Sequence, residues 1–453
     1  AAAAVLALRH STLRLMQRLY RGRTYILNGM RVINSTSAAL AWCEERIGRS
    51  SPDEALEASV REIIADVRQR GDAALVDHTA RFDGVDLSGV LVGAAELEGA
   101  ESELDPELAA AIRLAARRVE EYYRHQPEGG FLYAADGAML GQLVVPLSSV
   151  GCYVPGGSAP LFSSVLMTAV PARVAGVERV VVATPPAEDG SVPAAVRFAA
   201  RLAGADQVMR VGGPQAIAGL AYGTASVQRV DKVVGPGNRY VVEAKRQLYG
   251  TVGIESLPGP TETLVVADDS ADAGHVVADL LAQAEHAGAQ PVLVTPSLAL
   301  LEHVLEALPR AAAALPDPRS AGQSVEERGV AVLVEDLDAA MVVANAYAPE
   351  HLCLLVDDPW SLAAKARNAG GLFLGADSLE ALGDYVVGPS HVMPTGTTAR
   401  FSSFLNLRDF QKVMPLTYLS RAVVEDVGPA AALMARAEGL EAHARVVESR
   451  LRR

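Results

Sequence analysis

Cysteine is scarce: Cys43, Cys152 and Cys353 are the only three in 453 residues, far apart and in no CxxC spacing. A disulfide framework and a cysteine-built zinc site are therefore excluded, and a reducing, cytoplasmic setting is expected. Long apolar runs are also missing. The longest, such as 180–183 and 330–334, fall far short of a membrane span. Aromatic residues make up only 5% of the chain while half of it is apolar, a balance carried by Ala, Val, Leu and Gly that suits layered α/β packing better than a β-sandwich. Base is short as well: 40 basic against 54 acidic residues leave a net charge of -14, which disfavours nucleic acid and anionic membranes as partners. The dinucleotide fingerprint GxGxxG is absent. Gly235 and Gly237 are followed by Tyr240 where a third glycine would be needed.

What is present is length and alternation. A chain of 453 residues exceeds one hydrophobic core, so two large domains with smaller appendages are expected. From residue 177 onward, short apolar runs alternate with helical periods, the pattern of βαβ units on a parallel sheet. Strands are predicted at 180–183, 207–211 and 231–234, with helices at 194–202, 214–222 and 243–248 between and after them. A second series follows: strands at 263–267, 291–295, 330–334, 352–356 and 372–374, and helices at 273–286, 298–308, 339–346 and 361–368. The earlier part is helical and charged, at 54–70 and 107–123, with Gly71-Asp72 as a helix stop. The end, from about 409, reads as helices at 430–438 and 443–451. Residues 1–23 carry five arginines and no acid; an extended start or an amphipathic N-terminal helix is expected, with an organelle transit peptide as the alternative.

Several polar groups stand out against this frame. Gln283 and His286 project from one face near the end of a predicted helix and could share a metal ion, although a histidine capping a helix C-terminus is the simpler account. Asp384 is read in a loop after the last strand, where open α/β sheets gather functional side chains, or else as a turn residue. Gln, His, Asp and His donors suit a borderline cation such as Zn²⁺, Mn²⁺ or Co²⁺. Glu350-His351 directly precedes a predicted strand; a carboxylate beside an imidazole can move protons near neutral pH, or can be a solvated loop pair. The glycine-rich segments at 151–158 and 235–238 follow apolar runs and offer backbone NH groups to phosphate, or else form tight structural turns.

Seven motifs in order, VGCYVPGG at 150–157, VGGPQAI at 211–217, DKVVGPGN at 231–238, QAEH at 283–286, APEHL at 348–352, GDY at 383–385 and HVMPT at 391–395, resemble the histidinol dehydrogenase family from about residue 33 to the end. The resemblance implies two Rossmann-like parallel-sheet domains, one inserted in the other: 47–152 with 261–405 as the catalytic domain, 153–260 as the NAD-binding insert, 1–46 as an N-terminal extension and helical segment, and 406–453 as a C-terminal helical dimerisation segment. It implies Zn²⁺ on Gln283, His286 and Asp384, with His443 supplied by the other subunit of a homodimer. Thr261, His391 and Glu438 would line the substrate site together with those ligands and His351; Tyr153, Gln215 and Asn238 would contact NAD. In the implied reaction His351 takes the alcohol proton of L-histidinol as the first hydride leaves to NAD. Glu350 then activates water for oxidation of the bound aldehyde. Thr261 stands where many members have Ser, and 401–414 is less typical, so a paralogous zinc- and NAD-dependent dehydrogenase of another polar alcohol, such as a sulfonated diol, is the alternative; a catalytically silent metal- and nucleotide-binding protein is the second, though it would have no need of both Glu350 and His351.

Overall fold

A computed structural model describes residues 24–47, 53–127, 129–156, 161–286 and 288–451. The stretch 1–23 and the end of the first glycine-rich segment, including Ser158, lie outside the described residues. No described helix is long and apolar enough to cross a membrane.

The apolar runs become strands because they are rich in β-branched residues and buried on both faces, as parallel sheets require. A five-stranded parallel sheet has the order Gln207–Met209, Arg179–Ala183, Ser149–Tyr153, Lys232–Val234, Gly253–Ile254. A seven-stranded sheet has the order Thr24–Leu27, Met30–Ile33, Val330–Leu333, Gln290–Thr295, Glu262–Ala267, His351–Leu355, Gly371–Leu374; all pairs are parallel except the first. Helices cover both sheets, which agrees with the expected α/β class.

Four features differ from the expectations. The segment 1–46 contributes more than a helix: Thr24–Leu27 and Met30–Ile33 form a hairpin on the edge of the larger sheet. The five-stranded sheet is not built from 153–260 alone, because its central strand is Ser149–Tyr153. Helices Glu54–Arg70 and Pro106–Arg124 also bury Val60, Ile64, Ile112 and Val119 in the cores on its two sides. The C-terminal segment is not purely helical. Gln411–Leu419 is a nine-residue strand that joins the hairpin Phe131–Ala135 and Ala138–Pro146 in a three-stranded antiparallel sheet, followed by helices Arg421–Ala437 and Glu441–Leu451. The predicted helix at 361–368 is limited to Pro359–Ala363. The chain then turns so that Asn345 Oδ1 can accept from the amides of Arg367 and Asn368.

Candidate active site

In open α/β sheets ligands usually gather at the carboxyl ends of the strands. The five-stranded sheet follows that rule. Tyr153 closes its central strand, and its hydroxyl accepts from the Gly213 amide at 3.0 Å, at the start of helix Gly213–Tyr222. Gln215, two residues on, is buried, and its Oε1 has no hydrogen-bond partner among the described residues. Asn238 caps helix Arg239–Leu248, its Oδ1 accepting from the amides of Tyr240 and Val241 at 3.0 and 3.2 Å. Between them, Gly235 at φ 117° passes so close to the Tyr153 carbonyl that a Cβ would clash with it. A fully buried ion pair holds this turn from both sides: Lys245 Nζ donates to the Gly235 carbonyl at 3.1 Å, while Glu255, 2.7 Å from Lys245, accepts the Gly235 amide at 2.8 Å. The three residues expected to meet NAD thus share one edge, where helix N-termini offer amides to anions.

The seven-stranded sheet gathers its polar groups at the opposite, amino edge. Helix Ala273–Ala284 runs back from the end of strand Glu262–Ala267, so its C-terminus brings Gln283 and His286 to the start of the strands. The carbonyl end of a helix favours a cation there. Helix Leu337–Tyr347 ends on Ala348 in the left-handed region, φ 55° and ψ 65°, a conformation that turns the chain sharply and delivers Glu350-His351 into strand His351–Leu355. Asp384 lies on the short helix Glu380–Tyr385, not in the loop expected for it.

These elements converge. His351, 3% exposed, has Nδ1 at 3.3 Å from the Glu262 carbonyl and 3.7 Å from Glu350 Oε2, while Nε2 stands 3.9 Å from Asp384 Oδ1. That Nε2 has no hydrogen-bond partner among the described residues. Glu350, 6% exposed, accepts the Glu262 amide at 3.0 Å. Gln283 Nε2 donates to Asp384 Oδ2 at 3.3 Å, which leaves the amide oxygen and Asp384 Oδ1 for another partner. His391 Nδ1 is 3.0 Å from the Asp384 carbonyl, and its Nε2 is 3.1 Å from Ser164 Oγ. Ser164 sits in the first turn of helix Phe162–Val174, which packs on the five-stranded sheet, so His391 ties the two edges together. Thr261 directly precedes Glu262, its carbonyl accepting from the Gln290 amide at 2.9 Å.

The electrostatics suit proton transfer. Burial pushes the Glu350 carboxyl up to about 8; His351 and the Glu262 amide pull it down only in part. Burial pulls His351 down, but Glu350, Glu380 and Asp384 more than offset it, and the imidazole ends above its ordinary value. Burial holds His391 below its ordinary value, with His351 and His286 near enough to add repulsion and Asp384 opposing them.

The structure therefore unites Gln283, His286, Glu350, His351, Asp384 and His391. It does not bring in Glu438 or His443. Glu438 caps helix Arg421–Ala437, His443 lies on Glu441–Leu451, and both are exposed. Among the described residues neither side chain is hydrogen-bonded to the cluster, and no three His, Cys, Asp or Glu groups stand together as a metal site. Gln283, His286 and Asp384 fit a cation by donor type, as an incomplete set. Sequence reasoning missed Glu262, whose main chain holds both members of the proton pair and whose carboxylate is paired with Arg46. It also missed Glu380, Arg46 and Ser164. A glutamate opening an otherwise apolar strand was the available signal for Glu262.

A family profile described as histidinol dehydrogenase matches residues 48–451. The chain is 58% identical over 419 residues to a histidinol dehydrogenase of Deinococcus radiodurans, covering 92% of this chain and 94% of that one. It is 52% identical over 399 residues to one of Thermus thermophilus, covering 88% and 95%. The crystal structure of histidinol dehydrogenase from Elizabethkingia anophelis superposes with a TM-score of 0.88 at 32% identity, covering 94% of this chain and 99% of that one.

Proposed function

From the premise that the chain belongs to the histidinol dehydrogenase family, we propose that it oxidises L-histidinol to L-histidine through a bound aldehyde, with NAD as acceptor. The observation that carries the assignment of roles is the buried Glu350–His351 pair, in which both groups have raised proton affinity, so that each is a stronger base than usual once it has given up its proton.

His351 receives the alcohol proton at Nε2, the ring nitrogen without a partner in the protein, while Nδ1 is held at the Glu262 carbonyl. Glu350 takes a proton from the water that adds to the aldehyde. It acts in its ionised form, kept in place by the Glu262 amide, and burial makes that carboxylate a stronger base than a solvated one. The two groups thus divide the work: His351 serves the alcohol step, Glu350 the hydration. His391 and Thr261 bound the substrate space, and the closed setting keeps the aldehyde from solvent.

Gln283, His286 and Asp384 would hold Zn²⁺, with His443 of a second subunit as the fourth ligand and Glu438 joining the substrate site in the same way. When bound, zinc supplies a Lewis-acidic anchor for the substrate, and NAD, over Tyr153, Gln215 and Asn238, supplies the hydride acceptor. The side-by-side placement of Gln283 and Asp384, with Gln283 Oε1 and Asp384 Oδ1 left free by their mutual hydrogen bond, and the buried, unpartnered Gln215 Oε1 support these placements. The homodimer is supported by exposed apolar side chains on the three-stranded sheet and terminal helices, among them Phe131, Val413, Tyr418, Leu433 and Met434, each more than half exposed.

Steady-state NADH formation tests the proposal. Two NADH per L-histidinol consumed are expected; no turnover of L-histidinol together with oxidation of a sulfonated diol would overturn it.

A further inference from the structure

Beneath the proton pair lies a carboxylate that gives and takes no proton in the proposed chemistry. Glu380, 2% exposed, opens the helix Glu380–Tyr385 and lies one turn before Asp384. Its Oε1 accepts two hydrogen bonds, from Thr263 Oγ1 and from Cys353 Sγ, the latter at 2.7 Å. Thr263 and Cys353 belong to the adjacent parallel strands Glu262–Ala267 and His351–Leu355, the two that begin with Glu262 and His351. Oε2 has no hydrogen-bond partner among the described residues.

A six-residue helix with no side-chain cap at Leu379 is too short to be stable alone, so its position is set by what it touches. Residues four apart lie on one face of a helix, roughly 6 Å apart along the axis, so fixing Glu380 fixes Asp384. An apolar side chain would fill the same space without the cost of burying a carboxylate. It would not be directional. Two donors from two strands converging on one oxygen fix the rotation of the helix as well as its height. The facing helix feels the same group: Asp279, one turn before Gln283, has its carboxyl pushed up to about 6, by burial first and by Glu380 second.

We propose that Glu380 is a positioning residue of the metal centre: by locking the Asp384 helix onto strands Glu262–Ala267 and His351–Leu355, it sets the place of the Asp384 carboxylate and thereby the tightness of zinc binding. This rests on the reading of Asp384 as a zinc ligand.

The test is competition for zinc between the full-length protein and a chromophoric chelator, with the melting temperature of the metal-free protein measured alongside. Glu380→Leu and Glu380→Gln are expected to weaken zinc binding by about 10- to 100-fold, the range for outer ligands of metal sites. Metal-free melting should move by only a few degrees, and Thr263→Ser, which keeps the hydroxyl, should bind like wild type. Asp384→Asn is the control. Wild-type zinc affinity in both Glu380 variants, with weakened affinity in Asp384→Asn, would overturn the positioning role alone. Wild-type affinity in Asp384→Asn would overturn the ligand assignment and the positioning role with it. Should the Glu380 variants fail to fold, the double substitution Thr263→Val with Cys353→Ala removes both donors and leaves the carboxylate; unchanged zinc affinity there would overturn the role.

Discussion

Replacing Glu350 by Gln removes a titrating group while keeping its shape, and the structure fixes the sign of the response. Burial raises the carboxyl from 4.5 to about 8, Glu262 and Asp384 add repulsion, and His351 and the Glu262 amide only partly offset this. A folded-state pKa above the unfolded one means that, between about pH 4.5 and about pH 8, the native protein keeps a proton that the unfolded chain has released. Stability therefore falls as pH rises through that window, by about 1.4 kcal/mol per pH unit, with a ceiling of roughly 5 kcal/mol for one such group. Relaxation and water entry around the ionised group lower the expectation to about 2 kcal/mol. Glutamine carries no such penalty. In metal-free protein, the melting temperature of E350Q relative to wild type should rise between pH 5 and pH 8 by several degrees, at roughly 2 to 4 °C per kcal/mol for a large domain. If zinc binds at Gln283, His286 and Asp384 as proposed, its positive charge should shrink the gain. A difference that stays constant or falls with pH would refute the assignment of a buried, proton-holding Glu350. The kinetic arm uses the same protein: aldehyde oxidation should slow more than alcohol oxidation, and equal losses would remove Glu350 from the hydration step.

Arg46 lies over the Tyr347 ring at 3.6 Å and is the ion-pair partner of Glu262, so Arg46→Ala should destabilise the fold by about 3–5 kcal/mol in urea unfolding, as expected when a buried charge loses its partner; a loss under 1 kcal/mol would contradict the burial of that pair. Gly235→Ala puts a Cβ against the Tyr153 carbonyl at a φ of 117° and should raise the KM for NAD at least about tenfold with a smaller change in the KM for L-histidinol; equal changes in both would move the dinucleotide away from this turn. A mixed dimer of His443→Ala and His351→Ala subunits should regain one working site in two, measured as activity recovered on mixing; complete inactivity would count against ligation across subunits.

Legibility differed by element. The helix at 54–70 and the buried strands at 180–183 and 263–267 could be read locally, because capping residues and continuous β-branched runs specify them without reference to partners. The strands 131–135, 138–146 and 411–419 could not. Their side chains are exposed or half-buried and none is fully buried, so no burial pattern marks them, and Gln411–Leu419 finds its partner some 270 residues earlier. Ser149, outside the predicted insert, belongs to the sheet because its amide and hydroxyl bind Asp231 across the strands.

The sequence by itself determined the chemistry available: an adjacent Glu350 and His351, a nitrogen and oxygen donor set in Gln283, His286 and Asp384, glycine turns able to approach a ligand, and no thiol site. Those are properties of residue type and spacing. Only the tertiary structure decided where they meet. The five-stranded sheet offers its carboxyl edge and the seven-stranded sheet its amino edge, because helix Ala273–Ala284 returns Gln283 and His286 to the strand starts and the turn at Ala348 delivers Glu350 and His351 to the same place. It also set the proton affinities, since burial and the facing carboxylates of Glu262, Glu380 and Asp384 come from segments up to about a hundred residues away. Pairwise electrostatics depends on distance and desolvation, and neither is written in the spacing of a chain.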